Sequence, residues 1–277
     1  MIDYSKNRKV SSAIRHRARG FTLTEAIMVI VITGILAGMV AVFIQKPVQG
    51  FFDTARRAAL VDAADTALRR ISRDMHDALP NSVRISGTAL EFLHVRSAGR
   101  YREQIAPPPS LPGDPLDFTT ADTSFDVLGP AVSVQSGDSI VVYNLGVTGS
   151  NAYAGTSLRI AAAPFGAALA NVAITSATPF PFASPAKRFQ VVDTPVSYVC
   201  SGTQLRRYSG YAIAVTQPVP PAGSGALIAD KIATAGCSFT YAIGPSQREA
   251  LVTLSLSLTD GVETVGLLYQ VHLNNAP

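Results

Sequence analysis

The sequence predicts an α+β protein: a long N-terminal helix, its first half spanning a membrane, packed on an antiparallel β-sheet ectodomain. Three observations predict it. Residues 26–44 carry no charge; as a helix rising about 1.5 Å per residue they cover roughly 30 Å, the hydrocarbon thickness of a bilayer. Apolar residues then recur at helical spacing as far as Leu79. Beyond residue 80 the apolar pattern shortens to period two between turn residues, the mark of strands.

The first element, residues 1–20, is basic. Lys6, Arg8, Lys9, Arg15, Arg17 and Arg19 stand against Asp3, a net of +5, while the whole chain of 277 residues is +4. Residues 21–277 are therefore near −1, and the pI of about 9.2 belongs mainly to the first 20 residues. A nucleic-acid partner is not implied by that pI. Positive charge before the apolar tract puts the N-terminus in the cytoplasm and the large C-terminal region outside the inner membrane. A secretory signal would be cut after its apolar segment; here the small residue, Gly20, precedes it.

The second element, residues 21–45, is the membrane-spanning helix. Glu25 is the only charge between Phe21 and Ile44. A carboxylate inside such a tract costs on the order of 2.5–3.5 kcal/mol, so it is either an edge charge snorkelling to water or a paired functional group. Gly34 and Gly38 form a G-x-x-x-G, which is either a close helix-packing face or the ordinary glycine content of membrane helices. Pro47 is the first proline, so a kink or melted stretch is expected around Pro47 to Gly50.

Arg19-Gly20-Phe21-Thr22-Leu23-Thr24-Glu25 resembles the processing motif of type IV prepilins, a family with a basic leader ending in Gly, a cut before Phe, and Glu as the fifth residue of the mature chain. The resemblance implies a leader peptide at 1–20, cleavage by prepilin peptidase between Gly20 and Phe21, and methylation of the new amine of Phe21. It also implies that Glu25 pairs with the N-terminal amine of a neighbouring subunit. A buried charge is tolerable when paired with an opposite one and costly otherwise. Two departures are visible: the leader is longer than that of many major pilins, and Val42 stands where classical pilins carry a proline.

The third element, residues 46–79, is an amphipathic helix half. Leu60, Ala64, Ala67, Leu68, Ile71, Met75 and Leu79 form one apolar face, expected to run from about Phe51. On the other face Asp53/Arg57, Asp65/Arg69, Arg70/Asp74 and Arg73/Asp77 stand at i,i+4. Pro80-Asn81 is expected to end the helix.

The fourth element, residues 80–277, reads as one β-rich domain. Strands are expected over Ser82–Ser86, Ala89–Arg96, Asp138–Leu145, Ser157–Ala162, Arg188–Cys200, Gln204–Tyr211, Cys237–Ile243, Ala250–Thr259 and Glu263–Leu273. Asp260-Gly261 is a strong hairpin signal between the last two. Val252, Leu254, Leu256 and Leu258 alternate with polar neighbours, so one face of that strand is buried. Pro- and Ala-rich stretches near 106–116, 161–187 and 216–226 are expected to be loops.

Cys200 and Cys237 are the two cysteines. An extracytoplasmic location permits a disulfide; the alternative is two buried thiols. Their spacing fits no C-x-x-C redox or zinc site. Of the histidines, His16 falls in the leader, and His76, His94 and His272 show no metal-binding spacing. Neither a nucleophile elbow, a P-loop nor a dinucleotide fingerprint is present, so no catalytic residue, metal or cofactor is expected. Asp114, Asp117, Asp122 and Asp126 cluster near Gly113; oxygen-rich loops can hold calcium, but this spacing is that of a solvated turn rather than an EF-hand. Tyr208 and Tyr211 beside Arg206-Arg207 are read as strand packing, with contact to a partner or a surface glycan as the alternative.

Longer segments carry a second resemblance. Residues 47–57 (PVQGFFDTARR), 62–70 (DAADTALRR), 78–84 (ALPNSVR), 188–193 (RFQVVD), 198–200 (YVC), 205–208 (LRRY) and 270–277 (QVHLNNAP) resemble the MshO type of mannose-sensitive haemagglutinin (MSHA) pilus biogenesis proteins. That resemblance implies a minor pilin taking part in pilus assembly initiation or capping and in surface attachment. Its implied partners are prepilin peptidase, other major and minor pilins and the inner-membrane assembly platform. The alternative is a minor pseudopilin of a type II secretion system, which shares the N-terminal motif. A membrane-anchored enzyme would need a catalytic constellation that the residues do not supply.

Overall fold

The structure, a computed structural model, describes residues 20–176, 178–244 and 248–277. The expected leader apart from Gly20, with His16 and Arg19, lies outside the described residues. The chain divides into two compact units, one ending at Thr54 and one spanning Ala55–Pro277.

The helix α1 covers Leu23–His76, 54 residues. In the first unit its large apolar side chains, from Leu23 to Phe52, are exposed, so this unit has no core of its own among the described residues. It is long and apolar enough to cross a membrane. The hydroxyl of Thr33 bonds back to the Val29 carbonyl, and that of Thr54 to the Gly50 carbonyl at 2.8 Å; back-bonding satisfies a hydroxyl on an apolar helix. The interruption expected at Pro47 to Gly50 is absent, and α1 continues through it. Proline removes one i→i−4 bond, and the adjacent turns keep theirs.

Fourteen strands follow: β1 (Arg84–Ser86), β2 (Ala89–Tyr101), β3 (Ser124–Leu128), β4 (Val132–Val134), β5 (Ser139–Val142), β6 (Leu158–Ala162) and β7 (Gly166–Leu169), then β8 (Asn171–Thr175), β9 (Arg188–Ser201), β10 (Gln204–Ser209), β11 (Ala226–Ala229), β12 (Ile232–Ile243), β13 (Glu249–Asp260) and β14 (Glu263–Asn274). Every pairing is antiparallel. The result is an α+β fold.

The largest sheet runs β1-β2-β3-β8-β6-β5-β9-β10-β11, and β2 also pairs with β9. That extra pairing closes β2, β3, β8, β6, β5 and β9 into a six-stranded barrel. Closure removes sheet edges, and a barrel this small is filled by side chains. Its interior holds Tyr101, Phe125, Val172, Ile174, Phe189 and Val191, with β4 and β7 packing Val132, Val134 and Leu169 against it. Phe125 and Phe189 meet edge to face, centroids 5.0 Å apart.

A second core lies under the helix. Leu60, Ala64, Ala67, Leu68, Ile71 and Met75 of α1 meet Leu90 and Phe92 of β2, Val196 and Tyr198 of β9, and the inward row Val252, Leu254, Leu256 and Leu258 of β13. The helical spacing of one partner and the period-two spacing of the other put both rows on one interface. The buried face begins at Leu60; Phe51 and Phe52, where it was expected to start, are exposed.

The long strands β2 and β9 serve both cores. Their inward positions are even near the helix (90, 92; 196, 198) and odd in the barrel (101; 189, 191). The register shows why. Leu93 to Val95 spans two steps opposite three from Pro195 to Val192, and Val95 to Ser97 spans two opposite one. Each strand thus carries one extra residue, a bulge that reverses the in-out alternation.

Several boundaries differ from the sequence expectation. The helix ends at His76 rather than Leu79, because β2 recruits the next residues: Leu79 N–H donates to the Leu93 carbonyl (2.8 Å), and Val95 N–H to that of Asp77 (2.7 Å). The 161–187 stretch, expected as a loop, contains β7 and β8. β3, β4 and β11 were also not expected. These are strands of three to five residues, several rich in Ala and Gly, whose extended state comes from pairing rather than intrinsic preference.

Candidate functional site

Gly20 has no regular structure, and Phe21 is 76% exposed. A Cβ placed on Gly20 would meet nothing within 4 Å. The fold of the described residues therefore has no need of glycine there. Thr22 follows as the helix cap: its hydroxyl accepts from the Glu25 N–H at 3.3 Å, and its carbonyl from the Ala26 N–H at 3.1 Å. Thr22-x-x-Glu25 is a capping-box sequence. Thr22 was not singled out from the sequence, although that spacing would have identified it.

Glu25 lies in the first turn of α1, where the helix dipole favours negative charge. It is exposed, and among the described residues its carboxylate has no hydrogen-bond or ion-pair partner. The site thus consists of an accessible peptide at Gly20–Phe21, a capped helix start, and an unpaired carboxylate at the head of an apolar rod.

A Cβ on Gly34 or Gly38 would also meet nothing within 4 Å, so neither glycine answers to packing within the described chain. Of the four i,i+4 charge pairs on α1, Asp65–Arg69 is formed at 2.6 Å. Asp74 turns instead to the sheets. It accepts from the Arg207 guanidinium at 2.6 Å and the Tyr198 hydroxyl at 2.7 Å, tying the helix to β9 and β10.

Cys200 on β9 and Cys237 on β12 are joined, with their Cα atoms 6.5 Å apart. The bridge links the large sheet to the three-stranded sheet β12-β13-β14, and both sheets contribute residues to the helical core.

The remaining candidates are held by protein donors and acceptors. Asp117 accepts from both the hydroxyls and the N–H groups of Thr119 and Thr120, which hold its carboxyl well below the usual range. Asp122 accepts from the Asp117 N–H and Asp114 from the Ser124 hydroxyl. Asp126 accepts from Arg102 and the Asp114 N–H. The four aspartates staple a loop base, and among the described residues no group of three or more His, Cys, Asp or Glu is arranged to hold a metal. His94 Nδ1 lies 2.9 Å from Asp193, a bond that raises its pKa. The Tyr211 hydroxyl bonds to the Ser197 hydroxyl, and the Tyr208 ring covers Gly225. His272 stands on β14.

Residues 15–41 match the family described as the prokaryotic N-terminal methylation motif. The match contains Gly20, Phe21 and Glu25 and ends inside the apolar half of α1. No curated protein and no solved structure matches the chain. The motif and the apolar helix support a type IV prepilin-like structural protein, of pilin or pseudopilin type, that is anchored in a membrane by one span. The motif implies processing by prepilin peptidase and association with other pilins.

Proposed function

We propose that the chain is a minor type IV pilin of the MSHA type, acting in initiation or capping of pilus assembly and in surface attachment. Prepilin peptidase cuts between Gly20 and Phe21 on the cytoplasmic face and methylates the Phe21 amine. The span stays in the inner membrane with the β-rich region in the periplasm until assembly carries it to the cell surface. Glu25 then receives the N-terminal amine of a neighbouring subunit. The observation that carries this reading is the Glu25 carboxylate, without a partner among the described residues and one helical turn after an exposed Gly20–Phe21 peptide. A helix rises about 6 Å over four residues, so a neighbour shifted axially by that distance brings its amine to the carboxylate. Within one chain the amine points away from the helix start. The MSHA assignment rests on the segment resemblances from residue 47 to 277; the methylation motif is common to pilins and export pseudopilins.

The test separates processing from assembly. Gly20→Val, harmless to the described fold, blocks cleavage, and intact mass then retains the leader; wild type gives a chain starting at N-methylated Phe21. Glu25→Ala makes the span more apolar, so insertion and cleavage persist while crosslinking to other pilins falls at least tenfold. Normal crosslinking of that variant would reduce Glu25 to an edge charge. Mass spectrometry of subunits recovered with sheared pili decides between pilus and export machinery: recovery only with secretion components favours the pseudopilin.

A further inference from the structure

The edge of β14 is unlike every other sheet edge in the described residues. β1 has three residues and β11 four, and β11 pairs β10 with a register shift. β12 is bulged between Ile232 and Cys237 and tied to β9 by the disulfide. β4 and β7 have three and four residues. Short length and bulges are the devices by which proteins keep edges from pairing with other chains. β14 has neither. It spans twelve residues and pairs β13 in unbroken register from Glu263↔Asp260 to Asn274↔Glu249, with no strand on its other side.

Its composition is equally unguarded. From Thr264 to Asn274 there is no Lys, Arg, Asp, Glu or Pro. The outward side chains Thr264, Gly266, Leu268, Gln270, His272 and Asn274 are all exposed, Leu268 by 63%. Behind them on β13 stand Leu251, Thr253, Ser255, Ser257 and Thr259, so the outer face continues without charge from Thr259 to Leu251, and Glu249, opposite Asn274, is the one acid of that row. A surface is ordinarily about 25–35% charged.

We propose that β14 is an assembly edge, along which a neighbouring pilin-type subunit adds an extended, uncharged strand. This rests on the assembly reading above. The methylation motif implies association with other pilins, and in such an assembly a regular edge is covered by a fixed neighbour. An edge of about 40 Å at 3.3 Å per residue offers outward N–H and C=O groups at alternate residues. Backbone pairing supplies the affinity and the alternate side chains the selectivity. With no charge on the strand, an acidic or basic partner segment gains nothing there, and the contact is insensitive to salt.

The experiment uses the full chain in its own cells. Leu268→Lys places a charge on the edge strand, and Ser255→Lys places one directly opposite in register, one strand inward. Leu268→Lys lowers crosslinking to other pilins at least tenfold while cleavage and the Cys200–Cys237 bridge remain intact. Ser255→Lys changes it less than twofold. Equal loss from both variants means the partner sits on the face rather than the edge and overturns the proposal. Hydrogen exchange on wild type gives a second readout: alternate amides of 264–274 become protected in the assembled complex relative to the detergent-solubilised subunit. Unchanged exchange in an assembled complex overturns the edge while leaving the pilin reading intact. Failure of wild type to crosslink to any pilin overturns both.

Discussion

Among the described residues Glu25 and Arg159 are both charges without an ionic partner, for different reasons. Arg159 is 9% exposed and gives its guanidinium protons to carbonyls of Gly155, Thr156, Leu158, Thr178 and Pro179, with Phe180 against its face. Neutral acceptors exhaust its donors, so the charge is internal architecture. Glu25 has no such shell among the described residues and sits at an exposed helix start. His94, by contrast, has an acidic partner. It faces Asp193 on β9, with Asp77 and Asp74 nearby and Arg96 on its own strand bonded to the same Asp193. The Asp193 bond raises the His94 pKa above its ordinary value of about 6.5. The stability this gives is full below that value and is lost as pH rises through the higher folded value. His94→Gln therefore costs most near pH 5 and progressively less toward pH 8. Denaturant titrations of both forms across that range check it; a pH-independent difference would show that His94 does not titrate in the folded protein.

At the scale of elements, the barrel depends on one absent side chain. Gly99 of β2 stands opposite Phe189 of β9. A Cβ there would come within 2.9 Å of two atoms of the Phe189 ring and 3.1 Å of Val132. The ring is wholly buried and bears on Phe125, so it has nowhere to move. Gly99→Val is expected to destabilise the protein by about 1–3 kcal/mol or more through overpacking. Gly87→Ala, at a turn with no atom within 4 Å, incurs only the backbone strain of an alanine at φ +58°. Comparing the two by thermal unfolding tests the barrel packing; equal small effects would mean the ring relaxes. The helix teaches a related point. Period 3.6 locates its buried face from Leu60 to Met75, yet its end is decided by β2, which takes the backbone of Asp77 and Leu79.

At the scale of the whole molecule, two cores share β2 and β9, and the Cys200–Cys237 bridge closes a 37-residue separation across one of them. In the chain-entropy account a loop of that size is worth about 3–4 kcal/mol. Cys200→Ser with Cys237→Ser is expected to lower the unfolding free energy from denaturant titration by that much, and reductant should do the same to wild type but nothing further to the variant. A variant as stable as wild type would mean the bridge adds no constraint. Because β9 runs through both cores, the loss should appear in one cooperative transition.

What the chain order determines by itself is what is local. Gly20, Phe21 and Glu25 lie within one contiguous motif match, so no tertiary contact is needed to recognise it. The apolar span, the helical face and the β13–β14 hairpin follow from short-range periodicity and turn chemistry, which act within a few residues. The tertiary structure alone decided the rest. Barrel closure joins Ala89–Arg100 to Arg188–Val199, and the extended state of Gly166–Leu169 exists because β4 pairs with it. That β14 is an edge depends on which strand lies last in its sheet. Pairing across a hundred residues is a competition among all possible neighbours, and its outcome is written in the packing of both cores rather than in any one segment.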